Sequence, residues 1–159
     1  MNNIGRMNLH SQNDDWGTPK DLFRALDDVF HFTLDPCSTH ENALCEKHFT
    51  IEEDGLTQDW SDDVVFMNPP YGTETGKWIQ KAYEESVKGA IVVCLIPARP
   101  DTRYWHDYIF PYASSIRFIK GRLHFSDNKN PCGFPSAIVI FGMGEGKYKE
   151  MAFSCQDKI

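Results

Sequence analysis

"VVFMNPPYGT", residues 64–73, decides the fold of this chain, because an apolar, β-branched run ends there in an amide, two prolines and a tyrosine. The apolar run predicts a strand that is buried on both faces of a sheet. Proline cannot donate to a sheet ladder and restricts the residue before it, so Asn68-Pro69-Pro70 must end this strand in a rigid turn. The sequence therefore predicts a fixed platform at the end of a central strand.

Strand-like and helix-like patterns alternate on both sides of this stretch. Apolar residues at helical spacing predict a helix that Thr18 caps, a helix over 75–88 and a helix that Asp101 caps. Residues 38–62 are polar, and a short helix is expected near 40–46. Strands are predicted over 31–36, 47–51, 63–68, 90–97, 115–120, 121–125 and 136–142. This alternation predicts an α/β sandwich around a mostly parallel sheet, with a C-terminal β-hairpin.

Length and composition indicate one globular domain. A chain of 159 residues with 41% hydrophobic and 25% charged residues can bury a single core. We expect a loose tail over 1–15, one domain over 16–145 and an extension over 146–159. The polar start has no apolar signal-peptide core, and no apolar run approaches the roughly 20 residues that span a bilayer. We therefore expect a cytoplasmic protein without a membrane partner.

The cysteines predict thiols in a reducing compartment. There are 5 of them, an odd number, without the CxxC spacing of redox pairs or zinc knuckles. Cys37, Cys45 and His48 could be imagined around a metal, but their spacing matches no common zinc pattern. No structural metal is therefore expected.

The net charge of −7 is unevenly distributed along the chain. Residues 1–76 hold 4 Lys and Arg against 15 Asp and Glu, whereas residues 77–129 hold 9 against 5. This asymmetry favours the middle segment as the place where a polyanion would bind, although solvated surface charge without a partner explains it equally well.

The turn at Asn68 has the chemistry to position an amino group. The side-chain carbonyl of Asn68 and the backbone carbonyl of Pro69 are two acceptors on a stiff turn, which suits an amino group with two N–H donors. Acceptors that draw both hydrogens out of the ring plane localise the nitrogen lone pair as the transition state is approached. Tyr71 can stack on the ring that carries the amine. The structural alternative is a strand-ending turn with an aromatic plug.

Asn-Pro-Pro-Tyr after a buried strand resembles motif IV of the amino-methyltransferases. Further motifs occur in the same order, and together they resemble the phage-type DNA N6-adenine methyltransferase family over roughly residues 14–142. These motifs are Trp16-Gly17-Thr18-Pro19, Leu34-Asp35-Pro36-Cys37, Asn42-Ala43, Asp54-Gly55-Leu56, Trp60, Trp78, Gly121-Arg122-Leu123 and Phe125. The resemblance implies a compact, Rossmann-like class I methyltransferase fold, in a bacterial or phage-infected cell.

The resemblance also implies S-adenosylmethionine as the cofactor. Asp35, at the end of the first strand, would bond the ammonium group of the cofactor's methionine part. The other residues that the resemblance assigns to the cofactor are Trp16, Thr18, Pro19, Pro36, Cys37, Asp54, Asp59 and Trp60. Of these, Asp59-Trp60 resembles the pair that holds the cofactor's adenine, and Asp54 is a rival. Asn68, Pro69, Pro70 and Tyr71 would form the catalytic turn.

The substrate implied by the resemblance is double-stranded DNA, with the target adenine flipped out of the helix. Candidate DNA-binding residues, by charge or aromatic character near the long polar loop, are Arg99, Arg103, Lys120, Arg122, Phe125, Lys129 and Phe134. Core packing is the alternative for Phe125. A cytosine N4 or protein glutamine amide acceptor, or a catalytically silent nucleic-acid-binding module of the same fold, remains open, as do a monomer and a homodimer.

Overall fold

A four-stranded sheet with helices on both faces organises residues 17–125 and 130–142, which are the residues that the computed structural model describes. The strands are β1 (Val64–Met67), β2 (Ile91–Pro97), β3 (Ser115–Phe118) and β4 (Ser136–Phe141). The helices are α1 (Lys20–Phe30), α2 (Thr75–Val87) and α3 (Phe110–Tyr112), with a 3-10 turn (Gly55–Thr57) and a π-helical turn (Trp105–Ile109). The predicted tail over 1–15 and the extension over 146–159 lie outside the described residues.

The sheet order is β1-β2-β4-β3, and the predicted mostly parallel pairing is wrong. β1 pairs with β2 in parallel, but β4 runs antiparallel both to β2 and to β3. The reason is that β4 inserts in the reverse direction between β2 and β3. The predicted α/β class and the terminal pair of antiparallel strands are present, with a long connection between β3 and β4.

Two hydrophobic cores lie on opposite faces of the sheet, because side chains alternate along each strand. Val65 and Met67 of β1 enter the core that α2 and the π-helical turn cover. Phe66 enters the other core, against Leu22 and Leu26 of α1. The apolar run of β1, residues 65–67, is therefore buried on both faces, as predicted. Because both faces of β1 and β2 are covered, the ends of these strands are where a ligand can approach them.

Several local predictions need correction. Residues 31–36 and 47–51 contribute only single parallel bridges, Leu34 to Val65 and Asp35 to His48. Residues 40–46 form turns and bends instead of a helix, and 121–125 form no strand. Gly121, in the left-handed region at φ 76°, turns the chain out of the sheet. These segments lack the continuous apolar residues that hold β1 and β2 in the core.

Two predicted helix starts also differ. The N-cap residue of α1 is Pro19, one position after the predicted Thr18, and its carbonyl accepts from the Phe23 N–H at 3.0 Å. The helix predicted after Asp101 is present over residues 103–112, starting one residue later than an Asp101 cap would place it, and its middle part, Trp105–Ile109, is π-helical. No helix of the described residues is long and apolar enough to cross a bilayer.

Candidate active site at the carboxyl edge of the sheet

One edge of the sheet collects most of the predicted functional residues. β1, β2 and β3 point in the same direction, because β4 is antiparallel to both β2 and β3. Their carboxyl ends therefore meet at a common edge, here called the carboxyl edge. Asn68 follows β1 there, Arg99 follows β2, and Lys120 follows β3. Ligands of α/β sheets bind at such ends.

Asn68 is held by hydrogen bonds from both ends of its amide. Its Nδ2 donates to Thr18 Oγ1 at 3.1 Å, and its Oδ1 accepts from the Tyr71 hydroxyl at 2.8 Å. Asn68 is half-buried, whereas Pro69 beside it is buried. The amide thus stands at the boundary between the core and the surface, with its orientation determined by neighbours.

Tyr71 is a core residue with only 8% of its surface exposed. Its ring meets Phe125 at 6.0 Å and Phe134 at 5.6 Å between centroids, both edge-to-face. The hydroxyl also lies 3.3 Å from the Leu95 carbonyl oxygen. Burial raises the pKa of Tyr71 well above its usual value, so its hydroxyl stays protonated and donates. The predicted stacking of Tyr71 on a base requires its neighbours on this face to give way.

The turn after Asn68 is braced by the start of α2. Thr75 Oγ1 donates to the Pro70 carbonyl at 2.8 Å and accepts from the Gly72 N–H at 3.0 Å. Gly72 has φ 119°, a conformation that favours glycine. Sequence reasoning missed Thr75; the signal that could have found it is a threonine at the start of a helix, close behind two prolines.

Asp35 is a buried carboxylate at the end of the short strand segment beside β1. Only 4% of its surface is exposed, and its oxygens accept from the Leu44 N–H at 3.1 Å and the Cys37 N–H at 3.4 Å. Burial raises the pKa of Asp35 to about 6, and the two backbone bonds oppose that shift. None of the salt bridges among the described residues includes Asp35. The site is therefore anionic at neutral pH and suited to a cation.

A direct contact joins the turn after Asp35 to the turn after β1. The Cys37 thiol donates to the Asn68 backbone carbonyl at 3.2 Å. Burial raises the pKa of Cys37 well above its usual value, so the thiol keeps its proton for this bond. The two segments that the sequence assigned to cofactor and acceptor are thus neighbours.

The Asp54-Gly55-Leu56 motif packs against the same turn. A Cβ on Gly55 would lie 2.1 Å from the Pro36 carbonyl oxygen, so only glycine permits this approach. Asp54 is exposed, has φ 54°, and accepts from the Leu56 N–H at 3.1 Å. Asp54 is thereby placed beside the Asp35-Pro36 turn.

Trp60 and Asp59 have separate environments. Trp60 is 0% exposed, donates from its indole nitrogen to the Gly55 carbonyl at 3.0 Å, and stacks on Trp78 at 6.2 Å. Lys81 lies over its ring at 5.4 Å. Asp59 is exposed and accepts from the Ser61 N–H at 2.8 Å. A hydrogen bond from the Ser61 side chain and this backbone bond lower the pKa of Asp59. This geometry gives Trp60 a packing role beneath the Gly55 turn.

The predicted DNA-binding residues divide into exposed cations and packed aromatics. Arg99, Arg103, Lys120 and Arg122 are exposed. Phe125 is 1% exposed, which fits the core-packing alternative, whereas Phe134 is half-buried with Arg99 Cζ 5.4 Å from its ring centroid. Trp16 and Lys129, predicted for cofactor and DNA respectively, lie outside the described residues.

Metal ligands do not cluster in the part of the chain that the structure describes. No group of three or more His, Cys, Asp or Glu side chains could hold an ion there. Cys37 and Cys45 are half-buried thiols, and His48 Nε2 lies 2.8 Å from His40 Nδ1.

The fold and the site together define an α/β protein with an Asn-Pro-Pro-Tyr turn in contact with an Asp-Pro-Cys turn, the arrangement that the resemblance implied for an amino-methyltransferase. The chain belongs to the DNA N-6-adenine-methyltransferase (Dam) family, whose model matches residues 6–146. It is 31% identical over 140 residues to the DNA N-6-adenine-methyltransferase of Haemophilus phage HP1, covering 82% of this chain and 80% of that protein. The predicted family resemblance is thereby confirmed.

A second relative carries the same name. The DNA N-6-adenine-methyltransferase of Escherichia phage T1 is 29% identical over 94 residues, which cover 58% of this chain and 39% of that protein.

Gly55→Ala is expected to lower the free energy of unfolding by about 1–3 kcal/mol, because the new methyl group would overlap the Pro36 carbonyl. Gly76→Ala, within α2, is the matched control, because a Cβ at Gly76 would lie 3.6 Å from Tyr104 Cβ, an ordinary van der Waals distance. Urea unfolding measures both variants. Equal stabilities of the two variants would contradict the close approach at Gly55.

Asp35→Asn is expected to change how stability depends on pH. Burial raises the folded-state pKa of Asp35 to about 6, whereas the unfolded chain titrates near its usual value of about 4. Between these pH values the folded parent holds a proton that the unfolded parent has lost, so this group's contribution to stability falls as pH rises and stays low above pH 6.

The free energy of unfolding of Asp35→Asn should therefore rise relative to that of the parent between about pH 4 and 6. Above pH 6 the difference between the two proteins should stay constant. Unfolding titrations across this range measure it, with Asp28→Asn at an exposed position of α1 as the matched control. A flat difference between Asp35→Asn and the parent from pH 4 to 8 would be the contrary result.

Proposed function

We propose that this chain transfers the methyl group of S-adenosylmethionine to the N6 amino group of adenine in double-stranded DNA. Membership of the DNA N-6-adenine-methyltransferase family supports the reaction and the substrate class. The observation that carries the proposal is the bond from the Cys37 thiol to the Asn68 carbonyl, because it brings the proposed cofactor turn against the proposed acceptor turn. A transfer between two bound molecules needs this adjacency.

The residues around Asp35 fit the cofactor's methionine part. A buried carboxylate without a salt-bridge partner among the described residues is costly, and an incoming ammonium group would offset that cost. Pro36 and Cys37 continue this turn, and Asp54 lies beside it through the Gly55 contact. We place Asp35, Pro36, Cys37, Asp54 and the segment Trp16–Pro19 at the cofactor, with exposed Asp59 as an alternative to Asp54.

Asn68 and Pro69 act on the acceptor. When bound, S-adenosylmethionine supplies an electrophilic methyl group, which passes to the amino nitrogen as the carbon–sulfur bond breaks. Asn68 Oδ1 has two lone pairs and can accept from Tyr71 and from the adenine amine together. The Pro69 carbonyl accepts the second amine hydrogen, and Pro70 keeps this carbonyl in place. The nitrogen gains nucleophilicity without a catalytic base, and the product loses a proton to water.

The target adenine would enter beside Tyr71 and Phe134. Phe134 is half-buried at this position and carries Arg99 over its ring, so a modest movement of Phe134 exposes an aromatic surface to the base. The exposed cations Arg99, Arg103, Lys120 and Arg122, together with Lys129, would contact DNA phosphates. We assign Phe125 to the wall behind Tyr71.

We infer that the fold is a compact version of the Rossmann-like methyltransferase sandwich. Leu34 bridges β1 in parallel, β1 pairs with β2 in parallel, and helices cover both faces. The reversed β4 adds one antiparallel strand to this arrangement. A DNA substrate and phage relatives support the cytoplasm of a bacterial or phage-infected cell as the place of action.

Incubation with S-adenosylmethionine carrying a labelled methyl group, in the presence of duplex DNA or a protein extract, tests the acceptor. We expect label in DNA that digests to N6-methyldeoxyadenosine. Label in N4-methyldeoxycytidine or in protein would replace adenine as the acceptor. Cofactor binding without transfer would identify a silent binding module.

Asn68→Ala is expected to lower turnover by at least about 100-fold, because it removes an acceptor that stabilises the transition state. Cofactor affinity should stay within a few-fold of the parent, since the amide serves the acceptor side. Steady-state methylation and calorimetric titration with S-adenosylmethionine measure the two effects. Turnover at the parent rate would show that Asn68 has another role.

A further inference from the structure

The side-chain amide of Asn68 is a demanding group to position, because its two ends differ in chemistry but hardly in shape. The oxygen accepts hydrogen bonds and the nitrogen donates them. The torsion that turns an asparagine amide is broad and roughly two-fold, so packing alone holds the plane weakly. An amide turned the wrong way would present N–H groups to the amino group of the substrate.

The hydrogen bond from Tyr71 determines which end of the Asn68 amide is the oxygen. Its hydroxyl has one proton, and its neighbours include two acceptor oxygens, Asn68 Oδ1 at 2.8 Å and the Leu95 carbonyl at 3.3 Å. O–H···O bonds normally measure about 2.5–3.0 Å, so the proton belongs on Asn68 Oδ1. This bond fixes the identity of the oxygen end, and a contact at the nitrogen end adds resistance to rotation of the amide plane.

Thr18 supplies the second contact from another part of the chain. Its Oγ1 accepts from Asn68 Nδ2 at 3.1 Å, within the usual N–H···O range of about 2.7–3.2 Å. Thr18 stands just before α1, in the segment that the sequence assigned to the cofactor. Contacts at opposite ends of the amide fix its plane.

We propose that Thr18 is a positioning residue for the methyl acceptor site: its hydroxyl oxygen holds Asn68 Nδ2 and so keeps Oδ1 aimed for the adenine amine. This inference rests on the proposed function. It differs from a role in holding cofactor, because it acts on the rate of transfer when cofactor is saturating. It also connects the segment before α1 mechanically to the catalytic turn.

Thr18→Val tests the role, because valine keeps the branched shape and removes the hydroxyl. We expect the single-turnover rate at saturating S-adenosylmethionine and DNA to fall about tenfold, the size of one lost hydrogen bond. The dissociation constant for S-adenosylmethionine is measured separately, so that any loss of cofactor affinity through the segment before α1 is distinguished from the loss of rate at saturating cofactor. Thr18→Ser retains the acceptor oxygen and should restore the rate to within a few-fold of the parent.

Thr33→Val is the matched control at the opposite end of β1. Thr33 Oγ1 donates to Asp63 Oδ1 and accepts from the Val64 N–H, each at 3.0 Å, so the same substitution removes hydrogen bonds far from Asn68. Thermal unfolding of all variants shows whether they fold. We expect Thr33→Val to transfer methyl groups at the parent rate, and if Thr18→Val fails to fold, Thr18→Ala takes its place in the same comparison.

The outcomes separate this inference from the function on which it rests. A parent chain that transfers no methyl to adenine removes the proposed function. If the parent is active and Thr18→Val matches its rate at saturating cofactor, or loses only cofactor affinity, the positioning role of Thr18 is overturned. The same holds if Thr18→Ser is as slow as Thr18→Val.

Discussion

The structure depends on a strand that is buried on both faces and stopped by proline. β1 can lie between two hydrophobic cores because Val65, Phe66 and Met67 are apolar without interruption. The chain must then leave the sheet at Asn68-Pro69, since neither proline can continue the ladder. The polar amide of Asn68 is thereby fixed at the boundary between the core and solvent, directly after a buried strand. The Thr75 and Cys37 contacts add bracing from α2 and from the neighbouring turn.

The buried carboxylate of Asp35 lies at the same edge but, unlike the contacts around Asn68, it destabilises the fold. Asp35 lowers the stability of the fold at neutral pH, because burial raises its pKa to about 6 and the carboxyl group must lose its proton within the buried site. Two backbone N–H groups reduce that cost without removing it. Groups held in an unfavourable state typically mark functional sites. The proposed cofactor ammonium is the kind of ligand that would remove the remaining cost, so binding and stability are expected to rise together.

Much of the architecture could be predicted because continuous apolar runs have few alternatives. β1, β2 and β4 were found this way, and the helical spacing of Leu22 and Leu26 revealed α1. Strand direction could not be found, since the reversed β4 has the same apolar pattern as a parallel strand. Segments 31–36 and 121–125 were assigned too much regular structure. Their polar residues do not enter either core, and Gly121 turns away.

The candidate site was predictable at the level of residues but not of contacts. The order of motifs assigned Thr18 and Asp35 to the cofactor and Asn68 to the acceptor, whereas the structure joins all three segments at Asn68 through Thr18 and Cys37. No sequence rule pairs these side chains, because their neighbourhood arises only when α1 and two strand ends converge. Trp60 shows the reverse case, in which a motif residue with a plausible ligand role is a core residue under the Gly55 turn.

The uneven distribution of charge along the chain corresponds to a separation of charges in the structure. The acidic first half supplies the carboxylates around the proposed cofactor site, while the exposed cations Arg99, Lys120 and Arg122 follow the ends of β2 and β3 at the carboxyl edge. The exposed cations could contact a polyanion at that edge, whereas the buried carboxylate of Asp35 suits a cation. Because the field of a whole protein steers ligands by local sign rather than by net charge, a net charge of −7 is compatible with DNA as the partner. Under the proposed function, this separation of signs along one edge would guide DNA and the cofactor's ammonium group to adjacent places.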